Sequence, residues 1–126
     1  MNTEILSFEF EWYLRDYFFR INNRNDQHFK SIFDNNEICR FMKENYLKYK
    51  NWSIEEITKL FNIVISDLLD RNVLIVKKDT NLVVLKSRFT RKQCANCYYI
   101  NYFSSSEPPN CHRCKSDNLK DFPSKK

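Results

Sequence analysis

Two cysteine pairs, Cys94-Ala95-Asn96-Cys97 and Cys111-His112-Arg113-Cys114, stand thirteen residues apart near the end of the 126-residue chain. Two-residue gaps hold sulfurs close enough to share one ion, and two such pairs present four thiolates as a tetrahedral set. The spacing therefore predicts one structural Zn2+ held by Cys94, Cys97, Cys111 and Cys114. Two disulfides, or four unrelated thiols, are the competing assignments, and nothing in the chain marks an oxidising compartment that would favour them. Four thiolates leave zinc no open position, so the ion holds the fold and neither activates water nor polarises a carbonyl. His112 lies between the last two ligands, but four cysteines already complete the shell.

The spacer supports this reading. Tyr98, Tyr99, Ile100, Tyr102 and Phe103 are the residue types of a strand, and the run from Ser104 to Asn110, with Pro108 and Pro109, supplies turn chemistry before the second pair. The intervening residues are expected to form a hairpin. With few apolar residues of its own, such a segment depends on metal binding for its folding.

The run Cys94-x-x-Cys97-Tyr98-Tyr99, the pair Tyr102-Phe103, Pro108-Pro109 and Cys111-x-Arg113-Cys114-Lys115-Ser116 resembles the short zinc ribbons of small archaeal or archaeal-virus proteins, which are often appended to helix-turn-helix DNA-binding domains. The resemblance covers residues 92 to 119. It departs from the family pattern at Tyr98, where glycine is usual, and at His112, where proline is usual. The turn after Cys97 must accordingly be made without glycine.

Charge is concentrated in the same region. Residues 1 to 85 carry 12 Lys and Arg against 13 Asp and Glu, whereas residues 86 to 126 carry 9 against 3, and the whole chain is at +5. Four thiolates and one zinc ion subtract two charges, which leaves a moderate attraction to polyanions. No apolar run approaches the length of a membrane span, and the N-terminus has no basic start followed by an apolar stretch, so a cytoplasmic location, or the host cytoplasm for a viral protein, is expected. The chain has no glycine and fifteen asparagines, so Asn72, Asn81, Asn96 and Asn118 are candidates for positions that need a positive φ.

The elements ahead of the cysteines must position them. Leu6, Phe10, Tyr13, Leu14, Tyr17, Phe18 and Ile21 recur at helical spacing, which predicts a helix over residues 4 to 22 in preference to a strand over residues 6 to 12. Phe8, Trp12 and Phe19 fall off that stripe, as they would on a helix packed on two sides or on one that offers a homodimer or protein-partner surface. A short helix is expected from Gln27 to Phe33. Asp34-Asn35-Asn36 then caps an amphipathic helix from Glu37 to about Tyr49, with Cys39 as a small filler.

Ser53 and Glu56 form a capping box at the start of the longest apolar stripe, Ile57, Leu60, Phe61, Val64, Ile65, Leu68 and Leu69, which Asn72 ends. Val73 to Val76 and Leu82 to Leu85 are two β-rich runs joined by a basic turn, and they read as a hairpin. Over residues 37 to 86 this order is similar to the winged-helix arrangement. The length between Leu60 and Leu68 is about four residues short of two helices and a turn, so either Asn62 marks a cramped turn or residues 54 to 71 are one helix. The fold expected is α+β: a mostly helical, winged-helix-like domain with a β-hairpin wing over residues 1 to 87, then a small zinc ribbon with a basic tail over residues 88 to 126.

The absence of glycine rules out a glycine-rich phosphate loop, only His28 and His112 offer imidazole, and the carboxylates fall on helix faces beside cations, so enzyme activity is not expected. A DNA-binding transcriptional regulator is the leading expectation, with duplex DNA favoured. Lys59 and Arg71 on the long helix, Lys77 and Lys78 on the wing, Lys86, Arg88, Arg91 and Lys92 on the approach, and Arg113 and Lys115 on the ribbon are its candidate nucleic-acid contacts. For each of these cations the alternative is an ordinary solvated face. Glu55, Glu56, Asp67 and Asp70 on the same helix would repel phosphate, which leaves room for a non-catalytic protein-protein interaction subunit of a transcription, replication or host-takeover complex. A further reading stacks single-stranded nucleic acid on Tyr99, Tyr102 or Phe103.

Overall fold

The computed structural model describes residues 3–23, 29–76 and 79–121. The order of elements is α1 (Thr3–Asn22), β1 (Ile32–Asp34), α2 (Asn35–Asn45), a 3-10 turn (Leu47–Tyr49), α3 (Ile54–Asp70), β2 (Leu74–Val76), β3 (Leu82–Leu85), β4 (Thr90–Cys94), β5 (Ile100–Phe103) and β6 (Leu119–Asp121). The chain is thus α+β, with helices and two small antiparallel sheets of strand order β1-β3-β2 and β5-β4-β6, β1 lying between α1 and α2.

Local chemistry sets the helix ends. Asp34 Oδ1 accepts from the backbone N–H groups of Asn36 and Glu37, at 2.8 and 3.4 Å, and so starts α2. At α3, Ser53 Oγ accepts from Glu56 N at 3.1 Å while Glu56 Oε1 accepts from Ser53 N at 2.9 Å, the reciprocal capping box. Asn72 takes φ 66°, and its N–H and that of Val73 donate to Leu69 O and Leu68 O, which closes α3 in the manner glycine usually serves. Residues 54 to 70 are one continuous helix, and the turn that precedes it runs through the 3-10 segment.

Three expectations need correction. Residues 32 and 33 are not helical: Ile32–Asp34 pairs antiparallel with β3, with Phe33 opposite Val83, because Phe33 fills the core from a strand position. The earlier part of that expected helix, residues 27 and 28, lies outside the described residues. The hairpin of the second sheet is not contained within the cysteine spacer. β5 pairs with β4, which precedes Cys97, so the first cysteine pair sits at the hairpin's turn and β6 flanks β4 on its other side. Among the described residues, the positive φ values fall at Asn72, Asp79, Tyr98 and Lys115, not at Asn81, Asn96 or Asn118.

One core joins the whole. Phe10, Leu14 and Phe18 of α1 are fully buried together with Phe33, Ile38, Met42, Tyr49, Ile57, Phe61, Leu68 and Val83, and Tyr102 of β5 belongs to the same cluster. Each such side chain contributes about 1.5–3 kcal/mol by leaving water. The off-stripe aromatics of α1 divide: Phe19 is buried, Trp12 is half-buried against the cluster, and Phe8 remains exposed. The helix is packed on two sides, one facing α3, with Tyr17 against Phe41 of α2, and the other facing β5.

Candidate metal centre

The two cysteine pairs form the same local structure twice. Cys94 Sγ accepts from the N–H groups of Asn96 and Cys97 at 3.3 and 3.4 Å, and Cys111 Sγ accepts from those of Arg113 and Cys114 at 3.4 and 3.5 Å. One residue after each pair, Tyr98 and Lys115 take φ values of 65° and 71°, and each donates its N–H to the carbonyl of the first cysteine at 2.9 Å. The left-handed turn at Tyr98 is where the resemblance to zinc ribbons wanted glycine. Here a tyrosine, 67% exposed, adopts it.

These turns bring the four sulfurs within 4.8 Å of one another. Cys94 Sγ lies 3.5 Å from Cys114 Sγ and Cys97 Sγ lies 3.6 Å from Cys111 Sγ, and none of the four is disulfide-bonded. A regular tetrahedron of thiolates around a metal at about 2.3 Å has edges of about 3.8 Å, so the set fits a single four-coordinate ion. Cys39, the remaining cysteine, is buried in the helical core.

Electrostatics favours thiolates at the knuckle centres. Burial works against charge on Cys111, but the Cys114 N–H, the Asn101 side chain and the Arg113 N–H bring it down to about 6. The Cys97 N–H, ahead of smaller contributions, likewise lowers Cys94. His112 does not join the sulfurs. Burial and the nearby Arg15 guanidinium push it down to about 4, so it is neutral near pH 7, with its ring edge-on to Phe103.

The second knuckle is tied to β5, and β5 to α1. Asn101, fully buried, accepts the His112 N–H through Oδ1 at 2.8 Å. On either side of it, Ile100 O accepts from Trp12 Nε1 at 2.7 Å and Tyr102 O accepts from an Arg15 guanidinium nitrogen at 2.7 Å. Tyr102 also donates its hydroxyl to Asp16, which accepts from Tyr46 at 2.6 Å and from Arg20 at 2.7 Å. Arg15 and Asp16 escaped the sequence reading of the site. Two adjacent charges inside the most aromatic helix were the signal for them, whereas Glu107, Arg15's partner, sits in a turn that gives no sign of burial.

The expected nucleic-acid contacts do not share one environment. Lys59 and Lys86 are exposed. Arg71 is bound to Glu11 and Asp67, Arg88 donates to Asn22 O and lies over Phe29, Arg91 lies over the Phe19 ring, and Lys92 pairs with Asp121. Arg113 lies over Tyr99, and Lys115 Nζ donates to His112 O. Lys77 and Lys78 lie outside the described residues, as does His28. Tyr102 and Phe103 are only 2% and 4% exposed, which removes both from any base-stacking role.

An open groove of about 480 Å³ runs beside the seam between Phe8 and Glu11 of α1, Ile63 and Arg71 of α3 or its end, and His112 and Lys115 of the second knuckle. No described helix is long and apolar enough to cross a membrane. No protein-family model, curated protein or solved structure matches this chain.

Proposed function

We propose that this protein is a DNA-binding regulator in which α2, the following turn and α3 form the reading unit of a winged-helix domain, and the four cysteines hold one structural Zn2+ in a ribbon braced against α1. The observation that carries the reading is the order of elements: helix, strand, helix, helix, then a hairpin whose second strand returns to pair with the first strand. That order is similar to the arrangement of winged-helix domains, which the sequence resembles from α2 onward. As a fold analogy it needs support from the surface itself. Lys59, Asn62 and Ser66 share the exposed side of α3, and Lys86 follows β3. Lys77 and Lys78 stand between β2 and β3 in sequence. These are the residues assigned to phosphate and groove contacts, with Arg113 and Lys115 at the margin.

Zinc is the ion proposed because four thiolates in a closed tetrahedral set suit it and leave no vacant position for chemistry. The ion's part is to hold the two knuckles together.

A salt titration of duplex binding tests the regulator. Phosphate contacts make affinity fall steeply with ionic strength. Lys59→Ala with Lys77→Ala, Lys78→Ala and Lys86→Ala should weaken binding and flatten the salt slope. Absence of binding to duplex even at low salt overturns the reading.

The second reading, a protein-protein subunit, is favoured by α3 itself. Glu55, Glu56, Asp67 and Asp70 outnumber Lys59, and Arg71 is already bound to Glu11 and Asp67. Leu47, at the turn before α3, is 86% exposed, and Ile54 and Ile63 on α3 are also exposed. A Leu47→Glu variant that keeps duplex binding but loses a co-purifying partner would support this second reading.

A further inference from the structure

The ribbon covers α1 with an interface of unusual character. Its centre holds two charged side chains, Arg15 and Asp16, only 2% and 1% exposed. Burying charge is costly unless every group is paired, and each of these two draws essential partners from the ribbon: Arg15 from Tyr102 O and Glu107, Asp16 from the Tyr102 hydroxyl. Each also keeps a partner within the helical body, Glu11 for Arg15 and both Arg20 and Tyr46 for Asp16. A cavity of about 20 Å³ at the seam, lined by Glu11, Trp12, Arg15, Tyr99 and His112, has room for about one water. The opposite side of α1 is different: Phe10, Leu14 and Phe18 enter an apolar core built with α2, α3 and the first sheet.

A mixed seam, in which Tyr102 packs on Trp12 and Phe19 around two buried charges, and an apolar core on the other side give α1 two attachments of unequal permanence. An interface that carries buried charge pairs resembles those between domains that move relative to one another more than it resembles a continuous apolar core. The link from the cysteines to the seam is short. His112 donates its N–H to Asn101, and Asn101 lies between the two β5 carbonyls that accept from Trp12 and Arg15. The ribbon's small sheet has little apolar substance apart from its contact with α1, so loss of the ion removes the constraint that keeps β5 in register.

We propose that metal occupancy gates the docking of the ribbon on α1: the metal-bound ribbon covers Trp12, Arg15, Asp16 and Phe19, and loss of the ion uncovers them while the helical body stays folded. The uncovered Arg15 and Asp16 are solvated and keep their helix-borne partners, so the open state carries no orphaned charge. This inference rests on the metal assignment and not on duplex binding.

The test uses the full chain carrying Trp52→Phe, which leaves Trp12 as the only tryptophan. Zinc is withdrawn with a chelator under reducing conditions while metal content is measured. The expected result is a red shift of Trp12 emission and new accessibility to acrylamide, with helical circular dichroism largely kept and both changes reversed by added zinc. If Trp52→Phe does not fold, hydrogen exchange on the unaltered chain gives the same reading, through loss of protection in β4 and β5 while α3 amides hold. Trp12 that stays shielded in metal-free protein, or helices that melt in the same step, overturns the gate. Stoichiometric zinc with an indifferent Trp12 sinks the gate alone. Purified protein with no zinc, and no response to it, sinks the metal assignment as well.

Discussion

Arg15 of the first helix and Glu107 of the loop before the second cysteine pair form a two-bonded ion pair: both guanidinium NH nitrogens reach carboxylate oxygens at 2.7 Å. The pair spans 92 residues of sequence, and its side chains are 2% and 11% exposed. Ser104 N donates to the same carboxylate at 2.9 Å, so Glu107 also shapes its own turn. Breaking a buried pair by removing one partner leaves the other charge uncompensated, at about 3–5 kcal/mol. Glu107→Ala should therefore lower the stability of the metal-loaded protein by about 3 kcal/mol, toward the low end because Arg15 keeps Glu11. The Arg15→Ala, Glu107→Ala double variant should lose less than the sum of the two single changes, as measured by urea denaturation.

The same pair predicts a pH dependence. Burial works to raise Glu107, but its hydrogen bonds to Arg15 and the Arg15 charge outweigh this and hold it below the usual carboxylate range. A carboxylate with a depressed folded value contributes stability that is complete above its unfolded pKa, about 4.3, and is lost as pH falls through the folded value. The stability gap between the unaltered chain and Glu107→Gln should thus be constant at neutral pH and shrink below about pH 4. Metal content measured alongside separates this from acid release of the ion. A gap that widens as pH falls would contradict the assignment.

The turns after each cysteine pair give a third expectation. Tyr98 and Lys115 hold φ values of 65° and 71°, a region that costs a residue with a Cβ about 1–2 kcal/mol. Both side chains are exposed, so little packing is lost when they are replaced. Tyr98→Gly and Lys115→Gly should be neutral or stabilising by up to about 1 kcal/mol, while Tyr98→Val should destabilise the second sheet and weaken metal retention. Chelator competition against each variant reads the difference. Equal metal retention in the glycine and valine variants would contradict it.

Cys97→Ser and Cys111→Ser test the ion itself. Each should abolish stoichiometric metal binding and release the second sheet, whereas Cys39→Ser should leave metal content unchanged, since Cys39 lies in the helical core. Elemental analysis of reduced, freshly purified protein decides between these outcomes.

Tyr102→Phe isolates the seam from the ion. Removing the hydroxyl takes one donor from the buried Asp16 carboxylate and should cost about 1–3 kcal/mol without altering zinc stoichiometry. Denaturation and metal analysis on the same sample check both halves of that statement.

What was legible in the sequence is short-range. The C-x-x-C knuckles, the Asp34 cap, the Ser53 and Glu56 capping box and the Asn72 stop are each closed within a few residues, so spacing and side-chain chemistry suffice to determine them. The strands β1, β4 and β6 were hidden because Ile32-Phe33-Asp34, Thr90-Arg91-Lys92-Gln93-Cys94 and Leu119-Lys120-Asp121 offer no run of strand-forming residues; β1 and β6 exist by pairing with partners distant in sequence, and β4 by its hairpin with β5. The docking of β5 on α1 belongs to tertiary structure alone. Trp12 and Ile100, Asp16 and Tyr102, and Arg15 and Glu107 stand 86 to 92 residues apart. A charged residue on an apolar helix announces that it needs a partner. Which partner, and whether meeting it buries both, is decided only when the chain has folded and removed the water that would otherwise solvate them.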